Sequence, residues 1–172
     1  MILTPHAIVG AAITNLIPSD PALGFGLAFA SHYVLDMLPH TDYDISGFID
    51  DKTKTVKPLF KNTKSALHIL FISLDLIVAI SICFLIFVRD KQSLYLTLVG
   101  IVGCLLPDFF QFLYFKYKNQ PWIFYQKIHD KFHHPKIVNK TTKEKIIGTS
   151  LEIILPIFFI IIYFLLKNHI FY

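Results

Sequence analysis

Charge is scarce in this sequence. Only 16% of its 172 residues are Asp, Glu, Lys or Arg, 54% are hydrophobic, and the mean hydropathy is +0.56. A water-soluble domain carries nearer a quarter charged residues, so the shortfall excludes that class and points to an integral membrane protein. Cysteine is almost absent as well. Cys83 and Cys104 both sit inside apolar runs, which argues against a disulfide framework and reads them as small buried hydrophobes. No basic patch interleaved with aromatic residues is present, so nucleic acid is not an expected partner. The start, "MILTPHAIVG", has neither a basic leader nor a small-residue cleavage motif; the first helix is expected to be retained. Internal repeats and low-complexity tracts are lacking, and residues 1–172 read as one membrane domain.

What the sequence does have is apolar runs. Three are long enough for a bilayer, which takes about 20 residues: Ala66 to Val88, Ser93 to Phe115 and Ile146 to Leu166. Two shorter ones precede them. Thr4 to Ile17 opens with a candidate N-cap, Thr4, and a first-turn proline, Pro5; Asp20 and Pro21 open a second, running to about Leu38 before Pro39. The short "PSD" between them makes the pair a helical hairpin, the first member being tilted, re-entrant or shielded by its neighbours. "QPWIFYQKIHDKFHH" reads as an amphipathic interfacial helix with Trp122 and Tyr125 at headgroup level. "TTKE" (Thr141 to Glu144) is a capping box for the last span, in which Pro156 is expected to make a kink. The fold class is therefore all-α: a polytopic bundle of about five membrane helices plus an interfacial one.

Lysine placement sets the orientation. Lys52, Lys54, Lys57, Lys61 and Lys64 lie in one polar segment, and Lys116, Lys118, Lys127, Lys131, Lys136, Lys140, Lys143 and Lys145 in another. With five spans both segments face one side, opposite Arg89, Lys91 and Lys167. The positive-inside rule makes the lysine-rich side cytoplasmic, with the N-terminus inside and the C-terminus outside.

Ionisable residues then fall at one depth. His6 opens the first helix, His32 and Asp36 close the second, His68 and Asp75 lie early in the third, Asp108 late in the fourth and Glu152 early in the last. Charged groups inside a membrane cost at least about 2.5 kcal/mol each and face a partner or a wet cavity. Several helices accepting that cost in one layer implies a shared polar site. Imidazole with carboxylate suits zinc, iron or manganese, whereas copper(I) and iron–sulfur clusters want thiolates. His32 and Asp36 at i, i+4 share a helical face. His129 and His133 repeat that spacing, with His134 adjacent, although this Lys/His-rich stretch also suits a solvated face on anionic lipid. His6 taken alone fits a surface histidine, and Asp42, Asp44, Asp50 and Asp51 fit loop solubilisers. Asp75 and Asp108 also suit lysine pairing or a proton path.

"TPHAIVGAAI", "ASHYVLDMLPHTDYD" and "LPDFFQF" resemble segments of the bacterial and archaeal membrane-bound metal-dependent hydrolases. Those proteins carry an early helix-borne histidine, a Ser-His-x-x-x-Asp segment and a Leu-Pro-Asp motif. The resemblance maps these onto His6, His32, Asp36 and Asp108. It departs after "LPDF", where Phe110 and Gln111 replace the family's Asp-His, and in lacking the family's Thr-His-Ser segment, for which "KSALH" ending at His68 is the one stand-in. The His-x-x-x-Asp spacing is also similar, more loosely, to that of the zinc-dependent phospholipase C and single-strand nuclease superfamily. The resemblance implies a divalent metal, zinc first, and hydrolysis of a lipid or phosphate ester at the cytoplasmic face of the inner membrane. His6, His32, Asp36 and Asp108 are the preferred ligands, His68 and His133 further ones, and Asp75 and Glu152 the candidate acid–base groups. A transporter or metal-handling protein, and a non-catalytic scaffold whose polar layer glues helices, are the competing classes.

Overall fold

Helix α1 (Leu3–Leu16) is the shortest of the apolar helices, and it sits in the middle of the molecule, touching α2 (Pro21–Asp36), α3 (Thr63–Phe87), α4 (Lys91–Tyr117) and α6 (Thr142–Ile170). The computed structural model describes residues 2–43, 49, 63–133 and 141–170, with side chains as far as Lys167 in the last helix. Among them are these five helices, the short α5 (Trp122–Phe132), and no strand. Lys52, Lys54, Lys57, Lys61, Lys136, Lys140, Asp44, Asp50, Asp51 and His134 lie outside the described residues.

Three helices, α3, α4 and α6, are long and apolar enough to cross a membrane. Their outer faces carry large apolar side chains such as Phe71, 62% exposed, and Leu85, 76% exposed, as lipid contact demands. Helices α1 and α2 have 14 and 16 residues, about 21 and 24 Å at 1.5 Å per residue, short of a typical hydrocarbon core. Helix α1 is instead shielded within the bundle, Pro5 through Ala12 all being buried by its neighbours.

Small residues let these helices approach. Gly10 and Gly100 meet backbone to backbone, so that a Cβ on either would collide with the other's carbonyl. Gly103 packs on Phe25 and Ala28, and Gly24 on Thr14. Apolar burial does not drive helix association in lipid as it does in water, so close van der Waals packing of this kind is what joins helices there. The Gly10–Gly100 crossing also has a register consequence: with the two helices antiparallel, one further turn on each brings His6 to Cys104, whose Sγ lies 3.9 Å from His6 Nδ1.

The caps explain the ends. Asp20 accepts from Leu23 N at 3.0 Å, as expected for α2. Thr141 and Glu144 bond reciprocally, Thr141 N to Glu144 Oε2 at 2.7 Å and Glu144 N to Thr141 Oγ1 at 3.3 Å, forming the expected capping box. Thr4 does something else. Helix α1 begins at Leu3, and its first N–H groups, Leu3 N at 2.8 Å and Thr4 N at 3.2 Å, donate to Asp75 Oδ2 of α3. The cap comes from another helix, because a carboxylate held beside the positive helix start satisfies two donors at once.

Candidate metal centre

The functional candidates converge where α1 begins, α2 ends, α4 passes its proline and α5 docks. His6, His32 and Asp36 are buried, at 0%, 0% and 1% exposure, and the His6 and His32 rings stack with centroids 4.3 Å apart. Asp36 stands between imidazoles: Oδ1 is 3.2 Å from His6 Nε2, and Oδ2 is 3.2 Å from His32 Nε2 and 3.5 Å from His129 Nε2. Asp108 Oδ1 closes the group at 3.7 Å from His32 Nε2 and 3.6 Å from His129 Nε2. The two imidazole nitrogens are 3.5 Å apart, and Asp36 and Asp108 present ligand atoms within 4.8 Å of each other.

These separations have a physical meaning. A tetrahedral ion with bonds of about 2.0–2.1 Å places its ligand atoms about 3.3–3.4 Å apart. Five of the six edges among His32, Asp36, Asp108 and His129 measure 3.2 to 3.7 Å. His6 Nε2 is buried without a hydrogen-bond partner even though Asp36 Oδ1 is close, since distance without alignment does not make a bond. Two carboxylates facing one another need a cation or a proton between them.

Tautomer points the same way. His32 Nδ1 lies 2.9 Å from the Cys104 carbonyl, which only accepts, so Nδ1 carries a hydrogen and Nε2 is the ring atom turned into the cluster. His129 is held through Nδ1 by the Gln111 amide at 3.2 Å. With Gln111 Nε2 donating, Nδ1 accepts; with the amide turned over, Oε1 accepts from Nδ1–H and frees Nε2 as a ligand. Amide orientation of this kind is assigned from the surrounding bonds, and a ligating Nε2 would require the second.

Helix α5 matters because of how it docks. Tyr125 packs on Phe110 with ring centroids 4.5 Å apart, Trp122 on the same ring at 5.7 Å, and this turns Gln126 and His129 inward while Phe124 stays 57% exposed. His133, at the helix end, is 3.5 Å from Asp42 Oδ1 and 4.0 Å from Asp36 Oδ2. His40 Nε2 lies 3.0 Å from the same Asp42 oxygen. Burial alone would raise the Asp42 carboxyl; the imidazoles of His133 and His40 outweigh it and hold the group well below the usual carboxylate range. Asp42 is thus more than a loop solubiliser.

Of the residues singled out in the sequence, His6, His32, Asp36, Asp108 and His133 come together. Asp75, Glu152 and His68 do not join them. Asp75 accepts from Leu3 N, Thr4 N, Thr4 Oγ1 and the Tyr43 hydroxyl; burial and that last bond push the Tyr43 hydroxyl pKa upward. Glu152 accepts from Thr41 N at 2.8 Å and Thr41 Oγ1 at 2.6 Å, pinning the segment after α2 onto α6. His68 is half-buried on α3 and falls outside every convergent His/Asp/Cys group among the described residues. His129, His40 and Gln111 were not among the chosen ligands. The i, i+4 spacing of His129 and His133 was the available signal for the first; Gln111 was marked only as a departure after "LPDF".

No family model, curated protein or solved structure matches this chain. The chemistry of the site therefore rests on its geometry: buried histidines and aspartates that could hold a metal ion, in a helical protein with candidate membrane spans.

Proposed function

We propose that the chain is a membrane-embedded metal-dependent hydrolase of the kind its motifs resemble, acting on a lipid or phosphate ester at the cytoplasmic face of the inner membrane. One observation carries this: His32 Nε2, Asp36 Oδ2, Asp108 Oδ1 and His129 Nε2 converge with edges of 3.2 to 3.7 Å from three helices. Zinc is the first choice for two imidazoles and two carboxylates, with His6 beside them. When bound, such an ion polarises an ester or phosphoryl oxygen and acidifies water near neutral pH.

The chain's own groups do the remaining work. The Cys104 carbonyl and Gln111 orient the two ligating rings. Asp108, its side chain 30% exposed where Asp36 is 2%, marks the side from which substrate arrives and is the carboxylate within reach of it. The lysine-rich segments draw an anionic substrate to that side. In this reading all five apolar helices cross the membrane, with the N-terminus cytoplasmic and the C-terminus outside. Contacts at both ends support the alternation: Asp75 with Leu3, Glu152 with Thr41, and Thr14 with Leu96 at the far end.

A gluing role is favoured for Asp75 and Glu152 by their hydrogen bonds to other segments, so neither keeps an acid–base part in this reading. The test is hydrolysis of a panel of phospholipids and soluble phosphate esters by the protein in lipid nanodiscs, with zinc or manganese and after chelation. Metal-dependent release of product, lost in His129→Ala, supports the reading; a metal-loaded protein inert on the whole panel overturns hydrolysis. Reporter fusions at Lys57 and Lys140 on opposite sides would overturn the topology.

A further inference from the structure

Asp36 belongs to two convergent groups. One is the set with His32, Asp108 and His129; the other is Asp36, His40 and His133, whose ligand atoms also lie within 4.8 Å of one another. Building on the metal-centre reading, we infer that the site is dinuclear: a second divalent ion is held by His40 and His133, with Asp42 beside them, and Asp36 is the carboxylate the two ions share.

The second group is built like the first. His40 Nδ1 lies 2.7 Å from the Leu38 carbonyl, so Nδ1 carries a hydrogen and Nε2 is the ring atom turned inward, as with His32 and the Cys104 carbonyl. Helix termination makes this possible: Pro39 stops α2, and the turn after it presents the Leu38 carbonyl to the ring two residues on. His40 is buried at 2% exposure, unlike a loop histidine in water. Its ring meets that of His133 edge to face at 4.8 Å, and His133 lies 5.1 Å from the His129 ring. His129 and His133, one turn apart on α5 and at its end, thus serve the two groups in succession. Asp42 Oδ1 faces both further imidazoles, at 3.0 Å from His40 and 3.5 Å from His133.

A bridging carboxylate in a hydrolytic centre sets two ions about 3.5–4 Å apart, where they clamp the attacking and leaving oxygens of a displacement at phosphorus. The substrate class narrows accordingly to phosphate esters, lipid-borne or free.

The alternative is that His40 and His133 are imidazolium partners of Asp42 with no ion among them. Metal stoichiometry separates the two. Detergent-purified protein is stripped with chelator, titrated with Mn²⁺ and read by elemental analysis and by electron paramagnetic resonance, with circular dichroism and elution volume checking the fold. Two equivalents with an exchange-coupled signal are expected for wild type, one uncoupled equivalent for His40→Gln and for His133→Gln, and none for Asp36→Asn. His133 is 15% exposed at a helix end, so its variant tests the site even where His40→Gln disturbs the turn. A single uncoupled equivalent in wild type, unchanged in His133→Gln, overturns the second ion and leaves the first. Absence of any bound ion in wild type overturns the metal centre as well.

Discussion

The two ends of the helical bundle use polar groups in opposite ways. At the end where α3 turns into α4, Thr14 Oγ1 donates to the Leu96 carbonyl at 2.7 Å, and Asn15 Nδ2 to Ala11 O at 2.9 Å and Thr97 Oγ1 at 3.0 Å. These groups are neutral, and their donors meet acceptors. Where α1 begins, buried imidazoles and carboxylates approach one another at 3.2 to 3.7 Å, and His6 Nε2 is buried without a hydrogen-bond partner. The first arrangement is complete as it stands and fastens helices. The second is a group that could hold a cation.

Asp36→Ala should widen this contrast most, removing all bound metal because that carboxylate touches three imidazole nitrogens; metal analysis of the purified variant checks it. Gly100→Leu comes next. Its side chain has only the Gly10 backbone and Thr14 to enter, and overpacking of about 3 kcal/mol or more should lower the thermal midpoint sharply and take the site with it. Gln111→Leu should leave the helices intact and weaken metal binding by about 10- to 100-fold, the usual effect of losing a ligand's orienting partner, read by competition with a chelating dye.

Asp75→Ala sharpens the comparison from the other side. Removing the cap of α1 should cost about 1–2 kcal/mol in thermal or denaturant melts, with metal stoichiometry unchanged. The smallest effect belongs to Thr14→Val, about 0.6 kcal/mol as for interhelical hydrogen bonds in membranes, again without metal loss. A Thr14→Val protein that loses metal, or a Gln111→Leu protein that loses only stability, would blur the distinction between the two ends.

Depth and helical phase decided what could be read from the sequence. His32 and Asp36 were legible because i, i+4 spacing inside an apolar run fixes a shared face, and Asp108 because it ends a Leu-Pro-Asp in a long span. Asp75 and Glu152 lie at the same depth, yet depth does not say which way a side chain points around its helix. Only the packing reveals that Asp75 meets the start of α1 and Glu152 the backbone of Thr41. His129 was hidden for the opposite reason. Its segment is rich in lysine and histidine and suits a solvated face, and its inward direction is set by Phe110 meeting Trp122 and Tyr125. The length of α1 was similarly ambiguous, since 14 residues become acceptable only once four helices surround them.

The central claim is that a divalent cation completes the His32–Asp36–Asp108–His129 group. Elemental analysis of purified wild type, after chelation and again after re-addition of zinc, tests it most directly, with His32→Ala run alongside. Stoichiometric zinc that returns on re-addition and falls at least tenfold in affinity in His32→Ala is the expected result. Folded wild-type protein that stays metal-free with zinc in excess would contradict it and make the site end another piece of helix fastening.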